Sequence, residues 1–262
     1  MSGTSMDGID AAFLKTDGLL QVEVGEAITV PYSEDLRQKL SALVSSGMYS
    51  KNVEEQITLK HAEVITQLLK KTNTAVDEID LIGFHGHTVF HCPARRKTLQ
   101  IGDGELLAKL TGVDVVCDFR SNDVKQGGQG APLVPLYHQA VATKLTKPLA
   151  ILNLGGVANI SWLGHENELL AFDTGPGNAL LDDYISLHLG EKQDTGGKLS
   201  LSGNVDQGSL ITLLEHPYFL KKAPKSLDRN EFDWTPMILI SGFFSLIAIR
   251  VPAANPPPPI GR

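Results

Sequence analysis

Two apolar runs, Leu149–Leu154 and Val157–Leu163, are separated only by Gly155-Gly156. Runs of that length closed by a glycine pair read as strand, tight turn, strand. The start of the chain has a similar design. Met1-Ser2-Gly3-Thr4-Ser5-Met6-Asp7-Gly8-Ile9-Asp10 is a polar, glycine-bearing turn ahead of the apolar stretch Ile9 to Leu14. Two such turns about 150 residues apart point to a chain of two similar halves, with an order of strands and helices that must bury both.

The intervening pattern alternates. Ile9–Leu14 and Leu20–Val30 read as strands joined by the turn Thr16-Asp17-Gly18. Ser33 is a candidate N-cap for a helix through Leu36, Leu40 and Val44. A longer helix carries Val53, Ile57, His61, Ile65 and Leu69 on one stripe, where His61 reads as a packing residue. Ile79–Phe84 reads as a buried strand, Thr98–Ile101 as a short one, Glu105–Leu110 as a helix, and Val113–Phe119 as a strand ending at Arg120. Gln126–Gly130 is a glycine-rich loop, and a helix is expected from Leu133 to Leu145. Leu169–Phe172 then leads into Asp173-Thr174-Gly175-Pro176-Gly177-Asn178 and a helix carrying Leu180, Leu181, Tyr184 and Ile185. Strands interleaved with helices predict an α/β architecture. The run Asn255-Pro256-Pro257-Pro258-Pro259 favours extended polyproline II and cannot continue a helix.

Composition narrows the function classes. With 262 residues, 42% hydrophobic and 20% charged, the chain is expected to be globular. A formal charge of −7 argues against a nucleic-acid surface. Two cysteines, Cys92 and Cys117, make no disulfide framework, and a reducing cytoplasm is the expected compartment. The polar first residues do not read as a signal peptide, and Met237 to Val251 is too short and too interrupted to span a bilayer. A soluble protein without a membrane partner is expected.

Chemistry concentrates in a few places. In the first turn, glycine lets backbone N–H groups converge on an anion, hydroxyls add donors, and Asp7 could hold a Mg²⁺ ion through its waters. Taken alone, the turn is equally a polar hairpin with no ligand. Gly155-Gly156 repeats the design, so two hairpins could grip a polyphosphate. There is no Gly-x-x-x-x-Gly-Lys-Ser/Thr sequence, which excludes a P-loop on motif grounds. Asp173, expected at the end of a buried strand ahead of a helix N-terminus, could be a general base or merely a turn-capping carboxylate. His85 and His87, two apart on an expected strand, could share a metal, with His91 nearby, which is a rival reading as a metal-dependent hydrolase. Arg120 could clamp an anion or be a solvated strand end.

Taken together, these segments resemble the anhydro-N-acetylmuramic acid kinase family. The resemblance rests on Met1–Asp10, Gly86–His91, Leu99–Asp103, Asp118–Arg120, Gly127–Pro135, Leu152–Ser161, Asp173–Asn178 and Ala223–Ser226, in that order. It implies the two-domain actin-like ATPase (RNase H-like) fold of sugar kinases, Hsp70 and actin. It further implies an ATP-dependent enzyme of cell-wall recycling that hydrolytically opens the 1,6-anhydro ring and phosphorylates O6. By this resemblance Asp173 is the catalytic base. Gly3, Thr4, Ser5, Met6, Asp7, Gly8, Ile9 and Asp10, with Asn153, Gly155, Gly156 and Asn159, serve ATP, and Asp7 serves Mg²⁺. His87, Thr88, His91, Arg120, Gly175 and Asn178 belong to the sugar side. ATP and a small amino sugar are the expected partners, and a homodimer is compatible with the resemblance.

The expected division is a first domain over residues 1–130, a second over 131–235, and a tail over 236–262 outside the family pattern. Members of the family start with a strand ahead of the first hairpin and continue into a glycine-rich adenosine segment. The chain is therefore expected to be truncated at both ends, its second domain incomplete and its kinase activity weak or absent. The alternative is a non-catalytic sugar-binding remnant of the same family.

Overall fold

A computed structural model of the chain describes residues 1–3, 6–227 and 231–232. The polyproline tail and the apolar run from Met237 lie outside the described residues. Packing divides the chain into two units. The first comprises Met1–Ile151 with Ser161–Phe172; the second takes Leu152–Ile160 and the chain from Asp173 onward.

The first unit opens with an antiparallel hairpin, β1 (Gly8–Thr16) against β2 (Val22–Pro31). The Asp17 carboxylate closes its turn by accepting from the N–H groups of Leu19, Leu20 and Gln21. Residues 1–3 fold back along β1: Ser2 bridges Ile9, and the Asp10 N–H donates to Met1 O at 2.8 Å. Ser33 caps α1 (Glu34–Ser46) as predicted, its hydroxyl accepting from Leu36 N–H, and Gly47 closes the helix in the left-handed region. In α2 (Lys51–Thr72) the buried stripe is Val53, Ile57, His61, Val64 and Leu68. The strict four-residue spacing expected through Ile65 and Leu69 is corrected by the 3.6-residue period, which brings Val64 and Leu68 round instead. These helices cover one core of Ile9, Tyr32, Leu36, Leu40, Leu43, Val53, Ile57, Val64, Val89 and Ile101.

Next, β3 (Ile82–Phe84) pairs in parallel with β6 (Val115–Cys117), while β4 (His87–Cys92) pairs antiparallel with β5 (Lys97–Ile101). Between them α3 (Gly104–Thr111) starts at Asp103, whose carboxylate accepts from Leu106 N–H. Three predicted elements are shorter than expected. β3 does not reach back to Ile79, because Val76–Glu78 forms a 3₁₀ turn whose last bond runs from Ile79 N–H to Val76 O. β6 stops before Phe119 because Asp118 turns the backbone at φ +54°. The helix α5 is limited to Pro135–Val141; beyond it, Thr143 and Leu145 donate only three residues back. A short helix that the sequence pattern does not reveal, α4 (Ser121–Gln126), follows Arg120 directly.

β7 (Leu149–Leu154), β8 (Val157–Leu163) and β9 (Leu169–Pro176) form a three-stranded sheet in that order. The first two have the predicted bounds. In the second unit, β9 leads into α6 (Ala179–Leu189), followed by α7 (Lys198–Ser202) and α8 (Gln207–Leu214). Its core gathers Leu180, Tyr218, Leu227 and Phe232. No helix among the described residues is long and apolar enough to cross a membrane.

Candidate active site

In the second unit, the Gly155-Gly156 turn is locked onto the start of α6. Gly155 O accepts from Asn178 N–H at 2.8 Å, and Gly156 O accepts from the N–H groups of Gly177 and Ala179 at 3.0 and 3.2 Å. The Asn178 side chain donates to Leu154 O at 2.9 Å. Gly177 has to be glycine here, since a β-carbon would overlap Gly155 O. The N-terminal amides of α6 do not all face open space, because those of Gly177, Asn178 and Ala179 are consumed in holding the hairpin. Asn153, on β7, is exposed. Asn159, on β8, has a buried Oδ1 with no hydrogen-bond partner among the described residues, a feature folded proteins rarely leave unsatisfied.

Asp173 lies within β9, three residues before its end, and not at the strand's last position. It is tied to the segment 218–227 by three bonds. Its N–H donates to Lys225 O at 3.0 Å, its carbonyl accepts from the Tyr218 hydroxyl at 2.6 Å, and its Oδ2 accepts from Leu227 N–H at 2.8 Å. Burial pushes its carboxyl above the ordinary range, against the opposing pull of the Leu227 N–H. Tyr218 is fully buried, and Lys225 places its ammonium 4.4 Å from the centre of the Tyr218 ring while donating to Tyr218 O. Gly175 is buried against the Phe219 ring. Neither Tyr218 nor Leu227 is singled out by the sequence pattern, and Lys225 enters it only as part of a longer run. The one available signal is the Ala223–Ser226 run.

The first unit holds the remaining candidates in two clusters. In one, Tyr32 OH donates to Ser2 Oγ at 2.6 Å, and Ser2 Oγ lies 2.7 Å from His87 Nδ1. Burial depresses His87 to about 4, so the ring is neutral. In the other cluster, Arg120 donates from Nε to His85 Nε2 at 2.9 Å and from Nη1 to Gly130 O. Asp123 Oδ2 accepts from Gly130 N–H at 2.6 Å and fixes the glycine loop. His91 sits close to Gly130 and 3.0 Å from Thr98 Oγ1, while Thr88 accepts from Gln100. Arg120 is thus no solvated strand end.

The shared-metal reading of His85 and His87 is not supported by this geometry. Only His87 is on a strand. Gly86, at φ +68° and pressed on Ile101 O, turns the chain so that His87 meets Ser2 and His85 meets Arg120. Among the described residues no group of three or more His, Cys, Asp or Glu is placed to hold a metal.

Of the first turn, Thr4 and Ser5 lie outside the described residues. Met6 adopts φ +54° and donates its N–H to Gly3 O. Asp7 is exposed, its carbonyl accepting from Tyr32 N–H and its carboxylate free of hydrogen bonds among the described residues. Gly8 and Ile9 are buried, and Asp10 accepts from the Thr29 hydroxyl at 2.6 Å.

The family model described as anhydro-N-acetylmuramic acid kinase matches residues 1–238. A protein of that name from Paramagnetospirillum magneticum is 45% identical over 273 residues, covering 100% of this chain and 77% of the relative. One from Rhodospirillum rubrum is 49% identical, covering 90% of this chain and 64% of the relative. A third, from Rhodopseudomonas palustris, is 42% identical, covering 98% and 75%. The chain therefore spans roughly two thirds to three quarters of the relatives it matches, and it belongs to the anhydro-N-acetylmuramic acid kinase family.

Proposed function

We propose that the chain is an ATP-dependent kinase of the actin-like sugar-kinase fold that adds water across the 1,6-anhydro bond of anhydro-N-acetylmuramic acid and phosphorylates O6. The observation that carries the reading is the placement of Asp173. Leu227 N–H holds Oδ2 and leaves the other carboxylate oxygen to take a proton, and burial raises its basicity. In this mechanism Asp173 removes a proton from water as it attacks the anomeric carbon. The bond from that carbon to O6 breaks, and O6, relieved of its ring, attacks the γ-phosphoryl group of ATP. The products are N-acetylmuramic acid 6-phosphate and ADP.

Holding the polyphosphate is assigned to the first glycine turn, Gly3–Asp10, and to Gly155 and Gly156 with the strand residues Asn153 and Asn159 beside them. Positioning and charge neutralisation carry most of a phosphoryl transfer. The exposed, unbonded carboxylate of Asp7 fits a hydrated Mg²⁺, which binds through one or two carboxylates and substrate phosphates and would supply charge neutralisation. His91, Thr88, Arg120, Gly175 and Asn178 are assigned to the sugar. His87, buried behind Ser2, acts on that side by positioning.

The test is ADP formation by the purified chain with ATP and anhydro-N-acetylmuramic acid, run in ¹⁸O-labelled water. Sugar-dependent ADP with the label at C1 is the expected result. Sugar binding with no ATP binding would establish the non-catalytic remnant instead.

A further inference from the structure

A cavity of about 800 Å³ in the first unit is lined by Arg95, Arg96, Lys97 and Lys125, with Thr98 and Ser121 among its hydroxyls. In a chain of net charge −7 this is a local reversal of sign. The five salt bridges among the described residues involve none of these four cations, and none of their side chains makes a hydrogen bond there. Arg96 is also held at φ +55°, a backbone conformation rare for a long side chain, at the end of the 3₁₀ turn Pro93–Arg95. The turn puts three consecutive cations at one rim, and Lys125 on α4 faces them from another element.

We propose that this cavity binds a phosphate ester of sugar size. Two guanidinium groups offer paired donors matched to phosphate oxygens, two ammonium groups add point charge, and the hydroxylic side chains supply neutral donors. Phe90 and Leu99, half-buried in the same wall, give an apolar face for the carbon skeleton of the ligand. The cavity volume is that of a small-molecule site. The cations are exposed, so binding is moderate and weakens as salt rises. None of these residues belongs to the proposed catalytic set, so the cavity is independent of the kinase reading.

The experiment is calorimetric titration of the full chain with glucosamine 6-phosphate, glucosamine and glutarate at low salt. The phosphate ester should bind, glucosamine should not, and glutarate should bind at least tenfold more weakly. The double variant R96Q/K125Q should lose roughly tenfold or more of the phosphate-ester affinity, whereas D173N should keep it. Both altered residues are exposed, and an unchanged thermal melt identifies a folded variant. Unchanged affinity in R96Q/K125Q would overturn the site. Equal binding of glutarate would overturn its assignment to phosphate, and loss of binding in D173N would place the ligand elsewhere.

Discussion

The backbone N–H of Leu227 donates to Oδ2 of Asp173 at 2.8 Å, joining residues 54 apart in sequence. The bond orients a half-buried carboxylate and occupies one oxygen only. Burial raises the pKa of that carboxyl and the bond opposes the rise, so Asp173 is a charge kept in a costly place. Groups held this way are commonly found where chemistry is done.

Asp173→Asn separates catalysis from stability. The amide oxygen can still accept from Leu227 N–H, but it cannot take a proton. Turnover of the anhydro-sugar should fall by roughly 10²–10⁴-fold, the usual contribution of a general base. Because the folded-state pKa is raised, the ionised carboxylate costs stability above that pKa. The cost disappears once pH falls below the ordinary value of 3.8. The variant should therefore melt at or above the wild-type temperature at neutral pH, with the difference closing in acid. Undiminished turnover, followed by ADP release, would remove Asp173 from the mechanism.

Gly177→Ala should strike the hairpin lock. A β-carbon there overlaps Gly155 O and lies 3.1 Å from Ala158 N, both backbone atoms that cannot rotate away. Overpacking of this kind costs about 1–3 kcal/mol, read from the urea midpoint. The shift should also displace Gly155 and Gly156 from α6, so the Kd for ATP should rise by more than the Kd for the sugar. Equal changes in both would mean that the turn does not serve the nucleotide.

What the sequence made legible was local. Ser33 as a cap, the strand pair around Gly155-Gly156 and the packing of His61 each follow from residues within a turn or two. The shortened β3 and β6 do not: the 3₁₀ turn Val76–Glu78 cuts β3 back, and the pairing of the two three-residue strands joins segments more than 30 residues apart. Asp118 at φ +54° ends β6 without a glycine to announce it. The partners of the candidate site residues are likewise distant. Ser2 and Tyr32 reach His87 across the core, Gly130 reaches Arg120 through a loop, and Leu227 reaches Asp173 through an N–H, which every non-proline residue has. Asp173 itself was visible only as a carboxylate ahead of glycines.

The Tyr32–Ser2–His87 chain should show unequal costs along its length. Ser2 is 3% exposed and His87 1% exposed, so a lost partner there is not replaced by water. Ser2→Ala strips both the acceptor of Tyr32 OH and the hydrogen-bond partner of His87 Nδ1, leaving two buried polar groups unpaired. Tyr32→Phe removes one bond and strands nothing, because the serine hydroxyl keeps His87. The expected losses are about 2–4 kcal/mol and about 1 kcal/mol respectively. Chemical denaturation of the two single variants and the double variant tests the order. A Tyr32→Phe loss equal to that of Ser2→Ala would show that the serine does not bridge.

Acid should unfold the first unit through its buried histidines. His61 donates from Nδ1 to Ile57 O at 2.7 Å, its Nε2 is buried with no partner among the described residues, and its ring packs edge-to-face with Phe84, ring centres 4.8 Å apart. A second proton would put an unsatisfied N–H and a charge into that space. Burial lowers both His61 and His87 from 6.5 to about 4. Between those values the unfolded chain binds protons that the folded chain does not, so stability is complete above about pH 6.5 and declines as pH falls toward 4. Each such group adds at most about 1.4 kcal/mol per pH unit to the slope. His61→Leu, which keeps an apolar side chain against Phe84, should flatten the dependence of the urea midpoint on pH across this window. An unchanged slope would mean that His61 is not among the groups driving acid unfolding.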